Sequence, residues 1–370
     1  MTNIIKNIFL FLIIAFSIYC SLIIGISWDE SSVLRMGFEK VNYLLSLGMY
    51  ESRNQVWYDK YYPGLTFAFS AFIIKIFSIQ SKYEILHLVN LSFSLSVVFG
   101  ISKISKELFN SKVSNITFLL CLLHPIFFGH MSINGKDTIV ALSYVWLVYL
   151  LLRYFKNQFN PQKRKSYIIK MGLLLALGTG VRIIFLGSLI PIIVFSLLEI
   201  FYFRKIICIN FSLKKLIFDF FKIFLIYYFI LVLFWTQTHS NVLILPIKIF
   251  FESLENFPTG VPLGLFNGDF YITNNTPKYY LLYNLLLKTP EYILLLWVLF
   301  IYFFIKYNKF FCNNFKNYNY KITFIFIILL LSYFLIFFSP FPIYDGLRLF
   351  LYLIPFFILF PSLSIYLIIS

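Results

Sequence analysis

The chain is punctuated by ten apolar runs, at residues 5–27, 84–101, 113–129, 138–154, 168–181, 183–203, 221–236, 291–305, 322–338 and 349–369. Most are near the length a helix needs to cross a lipid bilayer. In hydrocarbon every backbone N–H and C=O must find an internal partner, and a helix supplies all of them within one segment. The expected fold class is therefore all-α: a polytopic membrane protein of about ten transmembrane helices, with 1–370 as a single domain. Composition agrees, since only 12% of residues are charged and 60% are hydrophobic, whereas soluble domains carry about 25% charged residues. The first run is too long for a signal-peptide core and lacks a small-x-small cleavage site, so it reads as an uncleaved anchor. Cys20, Cys121, Cys208 and Cys312 are scattered and point to neither a disulfide framework nor a metal site.

The net charge of +16 invites a nucleic-acid reading, but its distribution argues against one. Lys6 and four loops (103–112, 153–170, 204–222 and 306–321) hold 19 of the 31 Lys and Arg residues, with only Glu107, Glu199 and Asp219 as acids near them. On the opposite face 12 basic and 12 acidic residues balance. The positive-inside rule makes the basic loops cytoplasmic, with both termini on that side. The excess charge is then a topology signal, and no nucleic-acid partner is expected. Residues 64–79 are almost long enough to span, but a crossing there would reverse every later basic loop. They are expected to form an embedded or re-entrant helix on the outer side. The outer loops are 28–83, 130–137, 178–182, 237–290 and 339–348. The two long ones, 28–83 and 237–290, contain amphipathic pieces at 33–47, 242–257 and 278–289 that read as interfacial helices.

Polar residues gather on that outer face in four places. Asp29 and Glu30 follow Trp28 where the chain leaves the first run; a solvated helix end beside an interfacial Trp is the plain alternative. His124-Pro125 through His130, Asn134, Lys136 and Asp137 join two runs. There Asp137 with Thr138 also fits a simple helix cap, and His130 a packed interfacial histidine. Neither histidine has zinc-ligand spacing. Arg182, beside Gly178-Thr179-Gly180, suits a phosphate or a carboxylate, or a charge snorkelling to the interface. Asp345 and Arg348, three residues apart, can form a local pair worth under about 1 kcal/mol. Together the four clusters would ring one cavity mouth with acids and bases.

These motifs, in this order, resemble the GT-C superfamily of glycosyltransferases that use lipid-phosphate sugars. They resemble especially the bacterial relatives of the dolichyl-phosphate-mannose protein mannosyltransferases (glycosyltransferase family 39 and the aminoarabinose lipid A transferases). The resemblance rests on Asp29-Glu30, Tyr61-Tyr62-Pro63, His124-Pro125, Gly129-His130, Asn134-x-Lys136-Asp137 and Gly178-x-Gly180-x-Arg182. Lys278-Tyr279-Tyr280, Lys288-Thr289-Pro290 and Tyr344-Asp345-Gly346-x-Arg348 extend it toward the C-terminus. The resemblance implies a polyprenyl-phosphate sugar donor, an active site at the outer face of a bacterial inner membrane, and inversion at the anomeric carbon. By match Asp29 is the base, Glu30 its helper and Asp137 an orienting carboxylate. Lys136, Arg182 and Arg348, with His130 and Asp345, would bind the donor phosphate. Partial burial is expected to raise the Asp29 pKa and sharpen it as a base. No tightly bound cofactor or metal is implied, although a divalent cation would be compatible. The mannosyltransferases' extra soluble loop domain has no counterpart here, so the acceptor stays open between glycan, lipid and protein. Other readings are a lipid or polysaccharide-precursor transporter, a non-enzymatic export component and an acyltransferase. Transporters often show inverted repeats and mid-membrane charges, and neither is visible.

Overall fold

The structure, a computed structural model, describes residues 2–50, 56–77, 80–203, 211–255, 263–338 and 343–370, with side chains in the first helix from Ile8 onward. Cys208, the Lys6 side chain and the parts of the expected loops and spans at 51–55, 78–79, 204–210, 256–262 and 339–342 lie outside the described residues.

Apart from one two-stranded hairpin, the regular structure among the described residues is helical. The first helix, α1 (Thr2–Ile23), is followed by the amphipathic α2 (Glu30–Leu45) and the short α3 (Leu65–Phe77). Then come α4 (Lys82–Leu108), α5 (Ser111–Leu122), α6 (Pro125–His130) and α7 (Asp137–Asn157). Next are α8 (Pro161–Val181), α9 (Phe185–Phe203), α10 (Leu213–Phe234) and α11 (Leu245–Glu255). Strands β1 (Leu263–Phe266) and β2 (Asp269–Ile272) pair antiparallel across an Asn267-Gly268 turn with both φ positive, the geometry that suits strand twist. The chain closes with α12 (Tyr280–Lys288), α13 (Glu291–Lys306), α14 (Asn308–Asn314), α15 (Tyr318–Leu335) and α16 (Ile354–Ile368).

Five helices are long and apolar enough to cross a membrane alone: α4, α7, α9, α10 and α15. The apolar α13, 16 residues long, meets α12 at 107°, and the two together reach the length of a sixth only if the bent pair is counted as one span. The other four expected crossings rest on shorter or partly polar helices. Residues 113–129 break into α5 and α6 because Pro125 lacks an N–H and forces His124 into an extended conformation. The first turns of α8 carry Lys163, Arg164, Lys165 and Lys170, so its apolar part is short. Residues 64–79 give the 13-residue α3, roughly 20 Å long and too short for a ~30 Å hydrocarbon core.

The core centres on α7. Its apolar window is 83% buried, against 28% for α9 and for α10, whose exposed Leu, Ile and Phe side chains suit a lipid-facing position. The two ends of α7 are chemically opposite. At its last turns Arg153 and Lys156 pair with Glu107 at 3.1 and 2.7 Å, and the Tyr154 hydroxyl donates to Asp219. At its first residue stands Asp137. Among the described residues this basic cluster thus lies at one end of α7, and the expected site residue Asp137 lies at the other.

Candidate active site

Each charged residue at this end is delivered by a break in a helix. α1 stops at Ile23, and the chain turns through Ser27 and Trp28 to place Asp29 at the first turn of α2. Asn134 braces the start of α7: its side-chain Oδ1 accepts from the Asp137 N–H at 3.0 Å, and its side-chain Nδ2 donates to Asp137 Oδ2 at 3.1 Å. The Asp137 side chain is therefore free of cap duty and reaches into the site. α8 runs on through Gly178-Thr179-Gly180 to Val181, so the expected turn at 178–182 begins only at Arg182, in extended conformation. Gly64, at φ +77, donates its N–H to the Gly180 carbonyl and fastens the segment before α3 beside Arg182. Arg348 opens a short 3-10 turn after Asp345 and Gly346, both left-handed at φ +56 and +65. That conformation is unusual for residues other than Gly, Asn and Asp.

Arg348 is the hub. Its Nε lies 3.1 Å from Asp137, its Nη1 3.1 Å from Asp345, and its Nη2 contacts Asp29. Arg182 Nε lies 2.9 Å from the other oxygen of Asp137, and Lys136 Nζ lies 3.3 Å from Asp29. Three acids and three bases thus form one chain of ion pairs. It runs from a buried floor (Asp137 side chain 4% exposed, Arg182 10%) to an open mouth (Asp29 28%, Asp345 42%). The buried Arg182 pairs with Asp137 and does not snorkel. Arg348 makes the local pair with Asp345 that their spacing predicts, and it also bridges to Asp29 and Asp137 on two other segments.

Electrostatics corrects one expectation. Burial does act to raise the Asp29 pKa, but Lys136 and Arg348 outweigh it and hold the carboxyl below its usual range. Burial lowers the Lys136 pKa despite Asp29, and that of His130 despite Asp137. Arg182 and Arg348 are pulled down by burial but raised above the usual arginine value by Asp137, with Asp29 adding for Arg348.

The sequence-predicted residues Asp29, Lys136, Asp137, Arg182, Asp345 and Arg348 converge in this chain of ion pairs. His130 joins loosely, with Nδ1 3.5 Å from Asn134 Nδ2. Glu30 is placed differently. Its side chain is buried, one oxygen accepting from the Ser27 N–H at 2.6 Å and the other lying 2.7 Å from His87 Nε2. His87 Nδ1 in turn lies 3.0 Å from the Ser21 carbonyl. Glu30 thus ties α1, α2 and α4 together directly behind Asp29. His87 had no local signal, because its partners are 57 and 66 residues away in the chain. Tyr62 lies under Lys136, with the ammonium 5.1 Å from its ring centroid. Lys288 stands exposed against Gly346 and has no ion-pair partner among the described residues. No group of three or more His, Cys, Asp or Glu side chains among the described residues is placed to hold a metal ion.

No family model and no curated protein sequence matches the chain. Solved structures do. ArnT from Cupriavidus metallidurans in the apo state superposes with a TM-score of 0.62 at 12% identity, over 98% of this chain and 60% of ArnT. The same protein bound to undecaprenyl phosphate gives 0.64 at 10% identity, over 97% of this chain and 60% of that one. The apo Archaeoglobus fulgidus oligosaccharyltransferase gives 0.56 at 11% identity, over 97% of this chain and 50% of that protein. The chain thus spans between half and two thirds of the length of these neighbours. Sequence identity this low carries the architecture alone, and the likeness holds across nearly every described helix: the chain has the GT-C membrane fold.

Proposed function

We propose that the chain is an inverting glycosyltransferase that moves a sugar from a polyprenyl-phosphate carrier to an acceptor hydroxyl at the outer membrane face. The observation that carries this reading is the Arg348 hub, where Asp29 at the open mouth shares one guanidinium with a buried Asp137. A lipid-phosphate leaving group gains negative charge as the anomeric C–O bond breaks, and preorganised cations stabilise that charge. Arg348 and Lys136 are the cations nearest the base. Arg182, locked by Asp137, holds Arg348's partner in place. Asp29 accepts the proton of the acceptor hydroxyl while the acceptor oxygen attacks the anomeric carbon from the face opposite the phosphate. The bond to the phosphate oxygen breaks with its electron pair, which inverts the centre in one displacement.

In the absence of donor the three cations are neutralised by three carboxylates. A bound phosphate draws Arg348 and Lys136 partly away from Asp29, which relieves the depression of its pKa and strengthens it as a base when the donor is in place. His130, whose pKa burial lowers, supplies one hydrogen bond. The fold shared with ArnT, a protein solved with undecaprenyl phosphate, supports a polyprenyl phosphate as carrier.

The test uses purified protein in lipid vesicles, a panel of radiolabelled polyprenyl-phosphate sugars and a crude membrane extract as acceptor. Wild type is expected to move label into a new product. Asp29→Asn, which keeps the shape and removes the proton acceptor, is expected to lose about 100- to 10,000-fold in rate. Equal transfer by both proteins would remove Asp29 as base.

A further inference from the structure

The β-hairpin turns one wholly apolar face away from the protein. Leu263 stands opposite Ile272 and Leu265 opposite Phe270, so these four share a face. They are between 55% and 78% exposed. The other face is turned inward. Phe266 packs against Tyr279, Tyr280 and Tyr283 with ring centroids 4.9–5.6 Å apart, and the Tyr271 hydroxyl donates to the Ile343 carbonyl at 3.1 Å.

Two observations say what lies on the outward face. First, the hairpin packs on α12, which meets the apolar α13 at 107°. If α13 crosses the bilayer, α12 and the hairpin on it run close to the membrane plane. Second, the two helices that follow the hairpin also expose large apolar side chains, Leu282, Leu286 and Leu287 on α12 and Leu295 and Val298 on α13. A short strand pair with four large apolar side chains facing water would be an aggregation liability. The same face laid against acyl chains is an interfacial anchor.

We infer that the Leu263, Leu265, Phe270 and Ile272 face rests in the lipid leaflet on the side of the charge cluster, with the phospholipid acyl chains as its partner. The inference goes beyond the transfer reaction and does not depend on it. Its consequence lies in what the inner face holds. Tyr271 and Thr276 both donate to the Ile343 carbonyl, and the Gly346 N–H donates to the Tyr280 hydroxyl at 2.8 Å. The segment leading into Arg348 is thereby tied to an element whose depth the bilayer sets.

Nitroxide labels read this directly. With Cys20, Cys121, Cys208 and Cys312 replaced, Leu265→Cys, Phe270→Cys and the turn variant Asn267→Cys are each labelled. The protein is placed in phosphatidylethanolamine and phosphatidylglycerol vesicles. At 265 and 270, oxygen is expected to relax the label severalfold more effectively than a water-soluble nickel chelate, and at 267 the order is expected to reverse. Nickel access at 265 and 270 equal to that at 267 would put the face in water and overturn the inference. Loss of access to both reagents would mean that protein covers it, and would overturn it equally. The labels lie on exposed positions, and none is in the charge cluster.

Discussion

Arg348 touches three carboxylates from three distant parts of the chain, which a lysine cannot do, because only the planar guanidinium offers a fork of fixed donors. Arg348→Ala is expected to lower transfer by about 100- to 1,000-fold, the range for removing one preorganised transition-state donor, and Arg348→Lys to recover little of it. Single-turnover rates on labelled donor check this; full rescue by lysine would mean that charge alone is used. The pH dependence follows from Asp29. Its folded pKa is depressed, so the stability its ion pairs contribute is present above the unfolded value of 3.8 and is lost only as pH falls through the lower folded value. Between about pH 5 and 8, kcat/KM, which reports the free enzyme, should then show no acid limb from Asp29. An acid limb near pH 6 that vanishes in Asp29→Asn would contradict the geometry. Glu30 and His87 form a buried pair at 2.7 Å, and breaking such a pair from one side leaves an uncompensated charge. Glu30→Gln and His87→Gln should each destabilise by up to about 3–5 kcal/mol, and the double variant by much less than the sum. Thermal unfolding in one detergent measures this, and simple additivity would sink it. The charged residues of the cluster were legible from sequence because charges flanking apolar runs stand out. Their pairing was not, since Asp29 and Arg348 are 319 residues apart. The depressed pKa of Asp29 depends on that pairing, so burial alone pointed the wrong way.

At the scale of elements, α2 and α3 set the height of Asp29. Gly37 of α2 lies directly on the Phe67 carbonyl of α3, where an added β-carbon would collide with backbone. Gly37→Ala should force the two helices apart, cost about 1–3 kcal/mol as overpacking does, and reduce transfer although residue 37 touches none of the charged groups. Unchanged melting and unchanged transfer would show that the pair adjusts freely. The helical class, a short helix within 64–79 and the amphipathic helices within 28–83 and 237–290 could be read from apolar spacing. The breaks were harder. Pro125 sits inside a run that looks continuous by hydropathy alone, and splits it at His124. The hairpin at 263–272 was missed. Its alternating signal is only two four-residue strands, although Asn267-Gly268 is a strong turn dipeptide.

For the whole molecule the decisive property is polarity along the bundle axis. Asp137 begins α7 and Arg153 lies 16 residues later on the same helix, so the balanced cluster and the basic end are roughly 24 Å apart. That approaches the thickness of the hydrocarbon core. A chain whose basic loops hold 19 of its 31 Lys and Arg residues, with balanced charge in the remaining loops, should insert with the basic loops in the cytoplasm. Sidedness matters for the proposed reaction, because a site on the cytoplasmic side would meet nucleotide sugars and no outward-facing carrier lipid. In a cysteine-free background, Asn267→Cys on the hairpin turn should react with a membrane-impermeant maleimide in intact cells. Lys163→Cys, at the start of α8, should react only after the membrane is opened. Both positions are exposed in the fold, so a difference in labelling reports sidedness and not burial. The reverse pattern would place Asp29, Asp137 and Arg348 in the cytoplasm and would remove a polyprenyl-phosphate donor at the outer face, while leaving the chemistry of the ion-paired cluster intact.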